Sequence, residues 1–177
     1  MNKFKNFFLF LFSFLFSSVG MTTAHAEKIA CEGNNTQLSV YKKADFKVVS
    51  KTCHDNNPYI SNYLVNDKQN IFINKYSLDV GKWIPKLAAV SVYKKLGKPP
   101  LLITIHTQYW DTSTISGTSY DINLYEILNK DGKVTLIDIT EKLGKNQSGL
   151  DGESDQKMIF KLKDIALIKK WLDENYK

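Results

Sequence analysis

The chain has 177 residues, of which 24 are Lys and none is Arg, against 18 Asp or Glu and 3 His, for a formal net charge of +6. This length fits one domain, and the absence of repeats and biased segments excludes collagen-like, coiled-coil and low-complexity proteins. A nucleic-acid partner is not indicated, because such proteins use Arg forks and clustered basic faces, whereas these Lys residues are scattered.

The N-terminus has the three parts of a secretory signal peptide, over residues 1–26. Lys3 and Lys5 give a basic start, residues 7–19 form an apolar stretch of Phe, Leu and Ser, and a small-x-small site ends at Ala26. Serines interrupt the apolar stretch, and it is shorter than the ~20 residues that a membrane-spanning helix needs. We therefore predict cleavage after Ala26, no transmembrane segment in the mature chain, and a periplasmic or secreted location.

Cys31 and Cys53 are the only cysteines, and both follow the predicted cleavage site. In an oxidising compartment this pair predicts a disulfide, which would close a loop of roughly twenty residues and contribute about 3 kcal/mol to stability. A lipid-anchored Cys31 is disfavoured by Lys28, three residues before it. A Cys53 nucleophile served by the adjacent His54 is disfavoured because strand neighbours point to opposite faces and a bonded sulfur cannot attack.

From Gln37 onwards, apolar residues recur at every second position, which is the period of half-buried strands. The runs are short and are bounded by Asn, Asp, Gly or Pro. They include Leu38 with Val40, Phe46 with Val48, Ile71 with Ile73, and Val90 with Val92. Residues 76–89 fit no regular pattern, because Trp83 and Pro85 interrupt them.

Residues 101–110 form the most informative strand. One face carries Leu101, Ile103 and Ile105, and the other is amphipathic, with Leu102, Thr104, His106, Gln108 and Trp110. Asp111 and a hydroxyl-rich run over residues 112–120 follow. Because functional groups often occupy loops set on rigid strands, we predict a binding site formed by Thr104, His106, Gln108, Trp110 and Asp111. The alternative is that His106 hydrogen-bonds a cross-strand Thr and that the run is a solvated connection.

A serine hydrolase is a weaker hypothesis for the same region. Ser116 or Ser119 would act as the nucleophile, with His106 as the base and Asp111 as the acid. The Gly-x-Ser-x-Gly elbow that exposes such a nucleophile is missing, so we predict no catalytic residues.

A hairpin is predicted next, with strands over residues 122–128 and 133–140. Between them, Asp131-Gly132 supplies the positive φ that a tight hairpin loop requires.

Residues 144–156 are predicted to be the longest loop after the hairpin. Within it, residues 151–155 place acids at the first, third and fifth positions of a calcium loop, but Gln156 and Leu162 stand where Gly and Glu are required. A solvated acidic turn is the simpler interpretation. Since only two His remain after signal cleavage, a zinc site is also not indicated, and we predict no metal and no cofactor.

The chain ends with a predicted strand and a predicted helix. Met158, Phe160 and Leu162 alternate with other residues as in a strand. A helix is predicted over residues 164–176, because Asp164 can cap it and an apolar stripe follows, made of Ile165, Ile168, Leu172 and Tyr176. Trp171 lies beside this stripe and is expected to cover the sheet.

Residues 27–177 are thus predicted to form a single α+β domain. We expect a mostly antiparallel sheet of about seven to ten short strands, with the C-terminal helix on one face or at one end. The predicted function is that of an exported, non-catalytic binding protein whose partner is another envelope or secreted protein, as for an inhibitor or immunity protein. The alternatives are a small envelope hydrolase, or a glycan-binding or small-ligand-binding protein for which Tyr109 and Trp110 would be tested.

Overall fold

The computed structural model describes residues 31–54, 58–77 and 86–177. Within these ranges the chain forms ten β-strands, one 3-10 helix and one α-helix. The strands are β1 (Cys31–Leu38), β2 (Phe46–Cys53), β3 (Tyr59–Val65), β4 (Asn70–Ser77), β5 (Lys86–Tyr93), β6 (Leu101–Asp111), β7 (Ser116–Lys130), β8 (Lys133–Asp138), β9 (Ser148–Glu153) and β10 (Lys157–Met158). The 3-10 helix spans Thr140–Asn146, and the α-helix, α1, spans Ile165–Asn175. The predicted α+β fold, with antiparallel strands and a C-terminal helix, is confirmed.

The predicted signal peptide lies outside the described residues, and so do residues 78–85 of the segment with no regular pattern. Strand β4 ends at Ser77, before this range, and strand β5 begins at Lys86, after it. No helix in the described part of the chain is long and apolar enough to cross a membrane.

The first sheet contains β1 to β4 in sequence order, each strand antiparallel to the next. Cys31 lies directly opposite Cys53 in the register of β1 and β2, and the two form the predicted disulfide, with Cα atoms 4.1 Å apart. Along β1 only Leu38 is buried. The disulfide therefore links β1, an edge strand with almost no buried side chains, covalently to β2.

The second sheet has the order β10-β9-β7-β6-β5, and β8 also pairs with β7. The predicted hairpin is confirmed in β7 and β8, with Lys130 opposite Lys133 at the turn. Asp131 and Gly132 have φ values of 53° and 82°, as the sequence predicts for this loop. The Asn129 side chain accepts a hydrogen bond of 3.0 Å from the Gly132 amide and fixes the turn.

The two sheets and α1 stack in three layers, with one apolar core on each side of the second sheet. Strand β6 contributes to both cores because its side chains alternate between faces. Leu101, Ile103 and Ile105 belong to the core beneath α1, whereas Leu102 belongs to the core between the sheets. The predicted assignment of the two faces of this strand is confirmed.

Helix α1 forms close to its predicted ends. The Asp164 carboxylate accepts a hydrogen bond of 2.9 Å from the Leu167 amide and caps the first turn. Ile168, Leu172 and Tyr176 are buried beneath it. Trp171 is partly buried against the same core, so its predicted role as a cover of the sheet is confirmed.

Two segments predicted to be loops form strands instead. Residues 144–156 contain β9, which pairs with β7, and the hydroxyl-rich run over residues 112–120 is a turn only as far as Ile115. The three Gly residues within 144–156 favour a loop when the sequence is considered alone. Gly149 lies against the ring of Phe160, and a Cβ at this position would collide with that ring. Glycine here permits close packing and does not interrupt the strand.

The predicted last strand is wrong beyond Met158. Strand β10 contains only Lys157–Met158, although Phe160 and Leu162 are buried as their alternation suggested. The Phe160 ring stacks on the Tyr120 ring, with centroids 5.5 Å apart. The alternation therefore comes from an irregular segment that lies across the sheet, and not from a strand within it.

Candidate functional site

The amphipathic face of β6 points at the first sheet. Thr104, His106 and Gln108 on this face are buried, with exposed fractions of 0%, 0% and 2%. Trp110 is half-buried and Asp111 is exposed, at the end of the strand. Three of the five predicted site residues therefore lie in the interior, and their binding role stays a prediction.

A chain of side-chain hydrogen bonds joins the two sheets at this level. In the first sheet, Ser50 Oγ donates to Asn62 Oδ1 at 2.7 Å, and Asn62 Nδ2 donates to Asn74 Oδ1 at 2.8 Å. Asn74 Nδ2 then donates to Asn123 Oδ1 at 3.1 Å and to the Tyr125 hydroxyl at 3.0 Å, both on β7. Because buried polar groups must find partners, this network fixes the position of one sheet on the other.

His106 belongs to this network through a residue of the facing sheet. Asn62 Nδ2 lies 2.9 Å from His106 Nε2 and donates a hydrogen bond to it. The orientation of the Asn62 amide is fixed because its Oδ1 accepts a hydrogen bond from Ser50. Nε2 is therefore the unprotonated nitrogen of a neutral imidazole, and Nδ1 carries the hydrogen. The ring also stacks on Tyr76, with centroids 5.0 Å apart. The alternative expectation, that His106 hydrogen-bonds a cross-strand Thr, is therefore wrong.

Burial controls the charge of this histidine. It lowers the pKa of His106 to about 4, while the nearby side chain of Asn123 opposes the shift. The imidazole is consequently neutral at physiological pH. His106 Nδ1 and both amide atoms of Gln108 are buried without a hydrogen-bond partner. A polar group that is buried without any partner costs about 1–3 kcal/mol.

The three groups of the hydrolase hypothesis are not brought together. His106 and Asp111 lie five residues apart on one strand, which corresponds to about 16 Å. Ser119 Oγ accepts a hydrogen bond from Trp110 Nε1 at 2.9 Å and donates to the Gln108 carbonyl at 3.3 Å. Ser116 lies opposite Asp111 at the exposed end of the strands. His106 is thus hydrogen-bonded to Asn62. It forms no hydrogen bond with Ser116 or Ser119 through which it could act as their base.

Exposed apolar side chains gather at the distal end of the second sheet, which we call the distal surface and define by Tyr109, Met158 and Ile159. Their exposed fractions are 60%, 40% and 69%. The three residues line one open cavity of about 480 Å³, together with the charged residues Asp151, Glu153 and Lys157. The arrangement is an apolar patch with a charged rim, on the face of the sheet that α1 occupies further along.

A pair of glycines forms the floor of this cavity. Gly117 and Gly152 lie opposite each other on β7 and β9. A Cβ on Gly117, where φ is 124°, would lie 2.5 Å from the carbonyl oxygen of Asp151. A Cβ on Gly152 would collide with the carbonyl oxygen of Ser116. Both positions therefore require glycine, and the cavity floor is bare backbone.

A second aromatic surface lies on the outer face of the first sheet. Phe72 is 55% exposed, and its ring packs edge-on against Tyr63 with centroids 5.7 Å apart. Lys75 Nζ lies 3.8 Å from the centre of the Tyr59 ring. This face is mixed, because its aromatic rings are interleaved with cations, and it belongs to the other sheet from the distal surface.

Sequence reasoning missed most of these residues. The sequence analysis attaches no role to Asn62 or Asn74, although the two side chains are the centre of the network between the sheets. Ile159 lies in a segment predicted to be a strand. Because one face of such a strand is expected to be exposed, its position in the sequence did not indicate a binding surface. Within the described ranges, no group of three or more His, Cys, Asp and Glu side chains is placed to hold a metal ion.

Comparisons of the chain with known protein families, with curated proteins and with solved structures find no match.

Proposed function

We propose that this protein is an exported, non-catalytic binding protein of the cell envelope, and that it binds another protein through the distal surface. The N-terminal sequence supports export to the periplasm or beyond. The Cys31–Cys53 disulfide fits an oxidising compartment, where such bonds persist. An inhibitor or immunity protein, which occludes the active site of a toxin or hydrolase, is the kind of binding protein that we favour.

The observation that carries the proposal is the clustering of exposed apolar side chains at the distal surface. Isolated exposed apolar residues are common, whereas several around one concave patch are typical of an interface. Tyr109 is the best candidate anchor, because tyrosine is enriched among the residues that dominate binding energy. Asp151 and Glu153 provide the polar rim that interfaces commonly have.

Affinity capture with matched variants tests this proposal. The tagged protein is incubated with envelope and secreted fractions of its own source, and bound proteins are identified by mass spectrometry. Tyr109→Ser and Ile159→Ser remove apolar area from the distal surface. Phe72→Ser is the control, because it removes a comparably exposed aromatic side chain from the outer face of the first sheet.

We expect one stoichiometric protein partner that is retained by Phe72→Ser and weakened at least about tenfold by Tyr109→Ser, as for an interface anchor. The immunity or inhibitor role then predicts that the wild-type protein suppresses the activity of the recovered partner, and that Tyr109→Ser does not. Loss of the partner only in Phe72→Ser would assign binding to the other surface. Capture of no stoichiometric protein would contradict the proposal.

A further inference from the structure

A separate cavity of about 350 Å³ lies on the opposite face of β7 and β9 from the distal surface. Asp121 and Ser148 are direct cross-strand partners in this pair of strands, and Ser119 is two residues from Asp121. The three side chains project from the same face of the sheet, with Cβ atoms about 5–8 Å apart. Tyr76 and Trp110 line the same cavity.

Asp121 is the only charged residue that lines this cavity. The carboxylate is half-buried, and it has no hydrogen bond or ion pair with any described residue. Burial raises its pKa above the ordinary value of an aspartate. The only salt bridge among the described residues joins Asp151 to Lys163, on the other face of β9. Asp121 is therefore a partly desolvated negative charge without a cation.

The groups around Asp121 define the chemistry of a complementary ligand. Asp121 and Ser148 have free acceptor oxygens, and Ser119 Oγ keeps one acceptor lone pair after its bond from Trp110. Three acceptors match the three N–H donors of an ammonium group. Aromatic side chains in the wall add attraction for a cation. A divalent metal ion would need several more oxygen ligands than one carboxylate and two hydroxyls supply.

We propose that this cavity binds an alkylammonium group, held by Asp121 and by the hydroxyls of Ser119 and Ser148. Its volume lies at the small end of the range for ligand sites, which suits a short amine or the end of a lysine side chain. The chemistry is the same for a free amine and for a lysine of a protein partner. The site does not depend on the distal surface, because it lies on the other face of the strands.

Nuclear magnetic resonance titration of the purified protein with n-butylammonium tests the site, and neutral n-butanol is the matched probe. We expect saturable shifts of the backbone amides of residues 119–121 and 148–150 with the amine and none with the alcohol. Asp121→Asn should weaken binding about tenfold or more, since it removes a charge-assisted bond without changing the shape of the side chain. Ser148→Ala should weaken it about threefold to tenfold.

Asp131→Asn is the control variant, because it removes an exposed carboxylate from the hairpin turn, where Asn also tolerates the positive φ of 53°. It should bind the amine as the wild type does. Nα-Acetyl-lysine N-methylamide identifies the source of the ammonium. Tighter binding of this probe than of butylammonium assigns the site to a protein lysine, and the reverse assigns it to a free amine.

Three results would overturn the proposal: no saturable shift with either amine, equal shifts with butanol, or unchanged affinity in Asp121→Asn with a folded spectrum. None of these results bears on protein capture through Tyr109, so this proposal and the proposed function can fail separately.

Discussion

Acidification should destabilise this protein through His106, because its imidazole is completely buried. Burial lowers the pKa of His106 from 6.5 to about 4 in the folded state. As the pH falls from 6.5 towards 4, the unfolded chain therefore binds a proton that the folded chain does not bind. The stability that the neutral imidazole contributes is fully present above pH 6.5 and is lost across this window. The loss amounts to about 3 kcal/mol by pH 4.

Asp121 titrates with the opposite sign and must be separated from this effect. Burial raises the pKa of its carboxyl, so its contribution is present at low pH and is lost as the pH rises through the folded pKa. The informative quantity is therefore the difference between wild type and His106→Gln, in which groups remote from His106 cancel. Asp121 is the cross-strand partner of His106, so the same difference is also measured with Asp121→Asn in both proteins. Glutamine keeps an oxygen that can accept the hydrogen bond from Asn62.

Urea unfolding at about pH 7 and about pH 4, followed by tryptophan fluorescence, measures this difference. The wild type should lose about 3 kcal/mol more unfolding free energy than His106→Gln between the two pH values. His54→Gln, which changes an exposed histidine, should lose as much as the wild type. If wild type and His106→Gln lose equal amounts, the imidazole is not held neutral by burial and the reasoning is refuted.

Three further changes test the packing of the fold. Replacing both Cys31 and Cys53 by Ser should lower the unfolding free energy by about 3 kcal/mol, since the bond closes a separation of 22 residues, and an unchanged urea midpoint would contradict this. Gly117→Ala should cost about 2 kcal/mol or more, because its φ of 124° and a backbone carbonyl 2.5 Å from the new Cβ both oppose it. Gly97→Ala is the control, because φ is 75° there but no atom would lie within 4 Å of the new Cβ, and it should lower the thermal midpoint less. Equal shifts in the two variants would show that the collision at Gly117 contributes nothing. Tyr176→Phe removes a hydrogen bond of 2.7 Å to a carboxylate on β7 and should cost about 1–2 kcal/mol by urea unfolding. An unchanged unfolding free energy would show that the bond from Tyr176 to Glu126 does not help to hold α1 on the sheet.

The agreement between sequence and structure is best where one local rule acts. Asp131 and Gly132 close the hairpin because positive φ is a property of the residues themselves. Asp164 caps α1 through an amide three residues away. The prediction fails where glycine has a second use, since Gly149 and Gly152 lie within a strand and allow close packing. The local sequence does not distinguish this role from that of a turn.

By itself, the sequence determined the α+β class, the disulfide pair, the hairpin, the helix and the two faces of β6. All of these follow from short-range periodicity, turn chemistry or the presence of only two cysteines. Only the tertiary structure decided what His106 contacts, because Asn62 lies 44 residues away and reaches it from the other sheet. It also decided that Tyr109 and Ile159 share one exposed patch and that Asp121 faces a cavity, because pairing between distant strands places these groups together.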